Sequence, residues 1–202
     1  MNAIGTAARI ARLALLAMAW GVAAGCAVRA PAPGADAPTA ELPLVQFSRD
    51  AGLAGWHIEN DDVMGGLSQS ALAIDEAGNA VFSGDVSLEN GGGFASIQCD
   101  YAALDMSACR AVCLGLKGDG KRYQLRVDAA KNARHSYACD FDTSGEWQVV
   151  EIPFADMYAI RHGDRLDRPN YPGRTLARLQ ILIGNGKSES FHLELDRIWL
   201  AK

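Results

Sequence analysis

Apolar and polar residues alternate at period two in short runs along most of the chain, and this alternation constrains the fold more than any other feature. One such run is Tyr123, Gln124, Leu125, Arg126 and Val127. The pattern is typical of half-buried antiparallel strands, whose successive side chains point to opposite faces. Glycine-containing turns separate the runs, as at residues 118–120 and 184–186. No amphipathic helix pattern longer than about ten residues follows the first segment, so about nine strands predict an all-β fold, an antiparallel β-sandwich.

The first 25 residues predict a targeting segment. Arg9 and Arg12 flank the start of an apolar stretch that is too short to span a bilayer as a mature helix. Small residues then lead to Cys26, and this sequence resembles the lipobox of bacterial lipoproteins. The resemblance implies a diacylglycerol on the Cys26 sulfur, cleavage before Cys26 and acylation of the new amine. The alternative is an ordinary secretory signal that happens to contain a cysteine.

Residues 26–43 predict a lipidated tether, because prolines at high density favour an extended chain over helix or sheet. The prolines are Pro31, Pro33, Pro38 and Pro43, interspersed with alanines. No ordered strand is therefore expected before Leu44, and residues 44–202 are expected to form one domain with its own core. The location expected is the bacterial cell envelope. In the lipoprotein sorting rule of enteric bacteria, Asp after the lipidated cysteine retains the protein in the inner membrane. Because Ala27 follows Cys26 here, the outer membrane is favoured over the inner one.

The charge of the chain argues against nucleic acid as a partner. Without residues 1–25, which contain two arginines and no acid, the chain has 17 basic and 24 acidic residues and a formal charge of −7. Its longest basic run is Lys121 and Arg122. Nucleic-acid binding needs a clustered basic surface, and this chain has none in its sequence. Contact with the membrane is expected through the Cys26 lipid only.

Four cysteines besides Cys26 leave the redox state open. They are Cys99, Cys109, Cys113 and Cys139. An envelope location permits disulfides, and four cysteines allow three complete pairings. A bond between Cys109 and Cys113 is disfavoured, because on one extended strand their Cα atoms would lie about 13 Å apart. Buried free thiols and one disulfide remain alternatives.

Two segments, residues 60–66 and 89–94, combine carboxylate and amide side chains with glycines between predicted strands. In the first, Asn60, Asp61 and Asp62 could contact a ligand or partner, could hold a structural Ca²⁺, or could cap their own turn. In the second, Glu89 and Asn90 precede three glycines, which predicts either a nest of backbone N–H groups for an anion or a tight turn. The sequence does not show whether the two segments meet.

Further candidate contact residues lie within or close to these two segments. Met64 and Phe94 lie within them, and Trp56, four residues before Asn60, is the best candidate for an exposed aromatic that stacks on a sugar. A role of Trp56 in the core is the alternative. The histidines are His57, His135, His162 and His192, and none belongs to a nucleophile–base motif or a metal motif. No cofactor and no catalytic residue is predicted.

Five sequence blocks, in order, carry a resemblance to a known family. They are residues 60–68, 82–96, 115–123, 145–147 with 152–154, and 191–198. The chain resembles the complex I intermediate-associated protein family over residues 44–202. In mitochondria this family includes an assembly factor for NADH:ubiquinone oxidoreductase. The resemblance implies a jelly roll of the galactose-binding-like type and a role in assembling a membrane complex.

Three functions follow as hypotheses. The first is a non-enzymatic binding or assembly-factor-like module that engages a protein partner in the envelope. The second is a carbohydrate-binding module for envelope glycans, with Trp56 and the turn at residues 60–62 as its contact. The third is a hydrolase, for which paired carboxylates from distant strands would be needed.

Overall fold

A computed structural model describes residues 41–202, and within them the chain forms two antiparallel sheets packed face to face. Thirteen strands are present in this part of the chain: β1 (Glu41–Gln46), β2 (Trp56–Ile58), β3 (Gln69–Ile74), β4 (Ala80–Val86), β5 (Ala95–Asp105), β6 (Ala111–Lys117), β7 (Arg122–Asp128), β8 (Ser136–Asp142), β9 (Trp147–Pro153), β10 (Tyr158–Arg161), β11 (Asp164–Arg165), β12 (Thr175–Ile183) and β13 (Glu189–Ala201). The helices described are three 3-10 turns, Asp61–Met64, Glu89–Gly91 and Phe154–Asp156.

The two sheets differ in size. The seven-stranded sheet has the order β11-β10-β8-β7-β12-β5-β2. The six-stranded sheet has the order β3-β4-β13-β6-β9, with β1 also paired to β13. The long strand β13 pairs with β6 along one edge, and β4 and then β1 share its other edge. This antiparallel β-sandwich confirms the predicted all-β class.

The alternation seen in the sequence produces the core. On β7 the side chains of Tyr123, Leu125 and Val127 are buried between the sheets, whereas Gln124 and Arg126 point to the outer face. Facing residues such as Leu114 and Leu193 come from the other sheet and belong to the same continuous cluster. Burying one such side chain fully contributes about 1.5–3 kcal/mol, and the described core contains many of them.

The first strand corrects the predicted start of the domain. Strand β1 begins at Glu41, before the expected boundary at Leu44, and includes Pro43. Pro43 is accommodated because β1 pairs along one edge only, with β13, so a missing backbone N–H can lie on the unpaired side. The targeting segment, Cys26 and the tether up to residue 40 lie outside the described residues. Within the described residues, no helix is long and apolar enough to cross a membrane.

Three of the cysteines carry free thiols in the structure, namely Cys99, Cys109 and Cys113. None of the three complete pairings of the four cysteines is therefore formed. Burial raises the pKa of Cys99, and it raises the pKa of Cys113 to about 12. Both thiols are thus held in the protonated, unreactive form at neutral pH.

Candidate functional site

The two glycine-rich segments meet at the buried carboxylate of Asp61. Only 1% of this residue is exposed. Its Oδ1 accepts a hydrogen bond from the Ser68 backbone N–H at 3.0 Å. Its Oδ2 accepts from the Ser68 hydroxyl at 2.5 Å and from the N–H groups of Gly93 at 2.6 Å and Phe94 at 3.1 Å. One carboxylate thus joins the loop after β2 to the loop before β5.

Glycines make room for this carboxylate. A Cβ atom on Gly66 would lie 2.3 Å from Asp61 Oδ1. A Cβ atom on Gly92 would lie 2.7 Å from Asp61 Oδ2 and 2.8 Å from the Ser87 carbonyl oxygen. Burial acts to raise the pKa of Asp61, but the hydrogen bonds from Ser68, Gly93 and Phe94 outweigh it, so the pKa is lowered. Asp61 is therefore an ionised internal anchor.

The neighbouring polar residues also point inward. Asn60 is 8% exposed, and its Oδ1 accepts hydrogen bonds from the Ser70 hydroxyl at 2.9 Å and the Ser96 N–H at 3.4 Å. The Ser68 hydroxyl accepts from the Ser87 N–H at 3.0 Å, which adds a second link between the loops. The expected capping of their own turn is not what Asn60 and Asp61 do, because no side chain caps the 3-10 turn Asp61–Met64.

These loops and the end of β2 expose several apolar side chains. Met64 is 72% exposed, Val63 67%, Leu67 49%, Leu88 44% and Ile58 38%. We call these five side chains the apolar loop edge. Leu67 and Leu88 directly flank the hydrogen-bonded pair of Ser68 and Ser87, so the two loops present their apolar residues side by side.

Of the sequence-predicted contact residues, Met64, Asp62, Glu89 and Asn90 are exposed at this edge, and Phe94 is half-buried. Four apolar residues of the edge were missed by the sequence reasoning, which followed charged and amide side chains. These are Ile58, Val63, Leu67 and Leu88. Their positions in the sequence could have indicated their exposure. Each lies in or beside a predicted turn, where an apolar side chain is not required to pack in the core.

Trp56 corrects the expectation of an exposed aromatic. On β2 it pairs with Cys99 and shares its inward face. Its ring packs on Phe47 at 5.6 Å between centroids and against the main core. The exposed tryptophan of the described residues is Trp147, 48% exposed on edge strand β9 of the six-stranded sheet.

A polar cleft of about 660 Å³ lies on the outer face of the seven-stranded sheet. We use the name polar cleft for the concavity above β7, β8, β10 and the end of β12, lined among others by Arg122, Gln124, Arg126, Asp140, Tyr158 and Arg165. No residue of the predicted site lines it. The sequence shows these side chains only as the polar positions of alternating strands, which any solvated sheet face would have.

Hydrogen bonds order the floor of the polar cleft. Gln124 Nε2 donates to Asp140 Oδ1 at 2.7 Å, and the Tyr158 hydroxyl donates to Asp140 Oδ2 at 3.1 Å. Arg126 Nε donates to Gln124 Oε1 at 2.5 Å. The Arg165 guanidinium lies 4.6 Å from the centre of the Tyr158 ring. Burial, with Asp140 nearby, raises the pKa of Tyr158 to about 12, so its hydroxyl remains a donor at neutral pH.

Potential metal ligands do not form a cluster in this part of the chain. Among residues 41–202, no group of three or more His, Cys, Asp or Glu side chains is placed to hold a metal ion. No described histidine lines the polar cleft. The arrangement can bind and orient, through an apolar edge at one place and through hydrogen-bonding groups at another.

Together these features define a galactose-binding-like β-sandwich of the jelly-roll type. A sequence model of the Complex I intermediate-associated protein 30 (CIA30) family matches residues 45–195. The chain belongs to this family. No curated protein matches it at a significant level.

Solved structures with the same fold include carbohydrate-binding modules. The family 11 module of a cellulosomal cellulase of Clostridium thermocellum is 15% identical, with a TM-score of 0.57 over 82% of this chain and 96% of the module. The same family's module in complex with a β-1,3-1,4-mixed-linked tetrasaccharide is 16% identical, with a TM-score of 0.56 over 80% and 95%. A family 30 module is 12% identical, with a TM-score of 0.53 over 81% and 99%. At these identities the likeness shows the fold alone.

Replacing the anchor should loosen both loops. We expect Asp61→Ala to lower the free energy of unfolding by about 3 kcal/mol or more, because it leaves buried N–H groups without an acceptor. Asp62→Ala, which removes an exposed carboxylate one residue away, should change it by less than about 0.5 kcal/mol. Urea denaturation at neutral pH measures both.

The pH dependence has a defined sign. A carboxylate whose pKa is lowered by folding stabilises fully above its unfolded pKa, about 3.9, and loses that contribution as the pH falls through its folded value. The difference in stability between the wild type and Asp61→Ala should therefore be constant above about pH 5 and shrink below about pH 4. A difference that stays constant in acid would contradict the ionised anchor.

Gly66→Ala tests the steric part of the same arrangement. The new Cβ would overlap the Asp61 carboxylate, so we expect a loss of about 1–3 kcal/mol in the free energy of unfolding. Gly145→Ala is the matched control, since a Cβ there meets no atom within 4 Å and the backbone is not left-handed. It should be neutral or slightly stabilising. Equal effects of the two substitutions would contradict the packing described.

Proposed function

We propose that this chain is a non-enzymatic binding module of the bacterial cell envelope, anchored by lipid at Cys26, that engages a protein partner through the apolar loop edge. The observation that carries the proposal is the exposure of five apolar side chains, Ile58 at the end of β2 and four on the loops that hydrogen bonds hold in place. Contiguous exposed apolar residues on a soluble domain mark interaction sites.

The edge has the composition of a docking surface. Met64 and Val63, both more than 60% exposed, are its most accessible members. Methionine adapts its shape to a partner, and aliphatic neighbours supply area that is buried on binding. Asp62 and Glu89 lie exposed beside them and form an acidic rim. The partner expected is therefore a protein with an apolar patch bordered by basic side chains.

The rigidity of the two loops also supports docking of a protein partner at the apolar loop edge. Loops that order only on binding lose affinity to conformational entropy, whereas a preorganised edge avoids most of that loss. Here the Asp61 carboxylate and the Ser68 hydroxyl fix both loops in the unbound chain. Membership of a family described as complex I intermediate-associated favours association with a protein complex.

Glycan binding is the second candidate function, and a different surface favours it. Trp56 is half-buried with its ring packed on Phe47, so it does not present the exposed stacking face expected of a sugar platform. The polar cleft instead offers amide, carboxylate and phenol groups that both donate and accept hydrogen bonds, as sugar hydroxyls require. The family 11 module of the same fold is described in complex with a tetrasaccharide, which supports this candidate for the present chain.

The docking surface can be tested by site-specific photocrosslinking in cells. A photoreactive residue at Met64 and one at Leu67 should capture the same envelope protein, because both positions lie on one edge. The matched control is Val149, which is 44% exposed on β9 of the six-stranded sheet. Val63→Asp should weaken capture, and binding of the purified partner, by about tenfold or more, since it places a charge in the apolar contact.

The control position Val149 shows whether capture and binding are specific to the apolar loop edge. Val149→Asp should leave both capture and affinity unchanged. The docking proposal fails if Met64 and Leu67 give no common adduct, or if the position at Val149 gives the same adduct with equal yield.

Lipid anchoring at Cys26 is tested separately. Growth with an alkyne-labelled fatty acid should label the wild-type chain and place it in the membrane fraction. Cys26→Ser should abolish the label and release the chain. Cys109→Ser, which removes a free and half-exposed thiol of the folded domain, should keep both. Label retained after Cys26→Ser would refute the anchor.

A further inference from the structure

The polar cleft contains an arginine whose hydrogen-bonding capacity is mostly unused. Arg126 lies half-buried on the outer face of β7, and its Nε donates to Gln124. Among the described residues, no hydrogen bond or ion pair uses its Nη1 or Nη2. Neither atom is among the fully buried polar atoms that lack a partner, so both keep some contact with solvent, and Arg126 lines the cleft.

The neighbouring arginines differ from Arg126 in this respect. Arg122 pairs with Asp142 at 2.9 Å, and Arg178 pairs with Asp100 at 2.6 Å. Arg165 makes no ion pair with a described residue and covers the Tyr158 ring instead. The cleft therefore presents two cations that have no carboxylate partner within the described fold.

Two acids, Asp140 and Asp156, also line the cleft, and among the described residues neither forms an ion pair with Arg126 or Arg165. Both oxygens of Asp140 accept hydrogen bonds from neutral donors, Gln124 and Tyr158. Burial lowers the pKa of Arg126, which reflects a desolvated charge that nearby acids do not fully compensate. A guanidinium in this position gains most from a planar anion that accepts two parallel hydrogen bonds, and a carboxylate has that geometry.

The rest of the cleft fits hydroxyl groups. Gln124, Tyr158 and Asp140 form a fixed row of donors and acceptors, and Asn170 and Asn185 line the same space. A volume of about 660 Å³ suits an oligosaccharide segment better than a single small ion.

We infer that the polar cleft binds an acidic saccharide, with the carboxylate of a uronic acid held by Arg126 and its hydroxyl groups by Gln124, Asp140 and Tyr158. This rests on the glycan-binding candidate and is independent of docking at the apolar loop edge. Arg165 covers the aromatic ring and adds a second positive charge beside the bound acid.

Calorimetric titration of the full chain in detergent tests the inference without any variant. The probes are tetrasaccharides of galacturonate, mannuronate and guluronate, each as the free acid and as the neutral methyl ester. At least one acid should bind about tenfold more tightly than its own ester, and its affinity should fall as salt is raised. Equal affinity of acid and ester overturns the inference but leaves glycan binding intact. No binding of any probe up to about 1 mM overturns both.

Substitutions of single arginines test which side chain binds the carboxylate of the saccharide. Arg126→Gln should weaken binding of the acid about tenfold or more while leaving the affinity for the ester nearly unchanged. Arg165→Gln, at a more exposed position, should weaken it by a smaller factor. The charge-matched control is Arg110→Gln, an exposed arginine beside β6 of the other sheet that pairs with Glu151, and it should have no effect. A tenfold preference for the acid that survives both cleft variants would place the carboxylate elsewhere and overturn the assignment.

Discussion

The hydrogen bonds of the ionised Asp61 carboxylate are the interaction on which the loop end of this sandwich depends. The chain crosses between the sheets twice at this end, once from β2 to β3 and once from β4 to β5. Asp61 lies in the first crossover and binds N–H groups of the second, so one side chain joins both connections. Loops at a sandwich corner are ordinarily its most mobile parts. Here the hydrogen bonds to the buried Asp61 carboxylate hold the loops in place, so their exposed apolar side chains have fixed positions.

Much of the fold follows from the sequence because alternation reports burial directly. The run from Tyr123 to Val127 predicts a strand and its inward face, and its apolar residues Tyr123, Leu125 and Val127 lie in the core as expected. The short strands could not be found this way. β2 has three residues and β11 has two, so neither is long enough to show a period. They exist because a neighbouring strand offers unpaired backbone groups, which is a property of the assembled sheet.

The candidate site was predictable only in part. The sequence identifies residues 60–66 and 89–94 as special turns, but an aspartate beside glycines looks the same whether it faces solvent or the interior. The alternative of an anion nest at residues 89–93 is informative here. The N–H groups of Gly93 and Phe94 do bind an anion, and that anion is Asp61 of the same chain. The polar cleft was beyond prediction, because it arises from β7, β8, β10 and β12, which are adjacent only after folding.

The apolar loop edge and the polar cleft differ in chemistry, but the backbone segments that support them are in close contact at one place. Gly184 lines the cleft at the end of β12, and a Cβ atom there would lie 3.1 Å from the Gly93 carbonyl oxygen and 3.2 Å from Phe94 Cβ. The segment that Asp61 holds in place therefore packs against the rim of the cleft. A close-packed contact of this kind transmits displacement, since neither backbone can shift without moving the other. Because the hydrogen bonds of Asp61 already fix the loops in the unbound chain, they also preorganise this rim of the cleft, and neither surface needs the other to be occupied in order to be ordered.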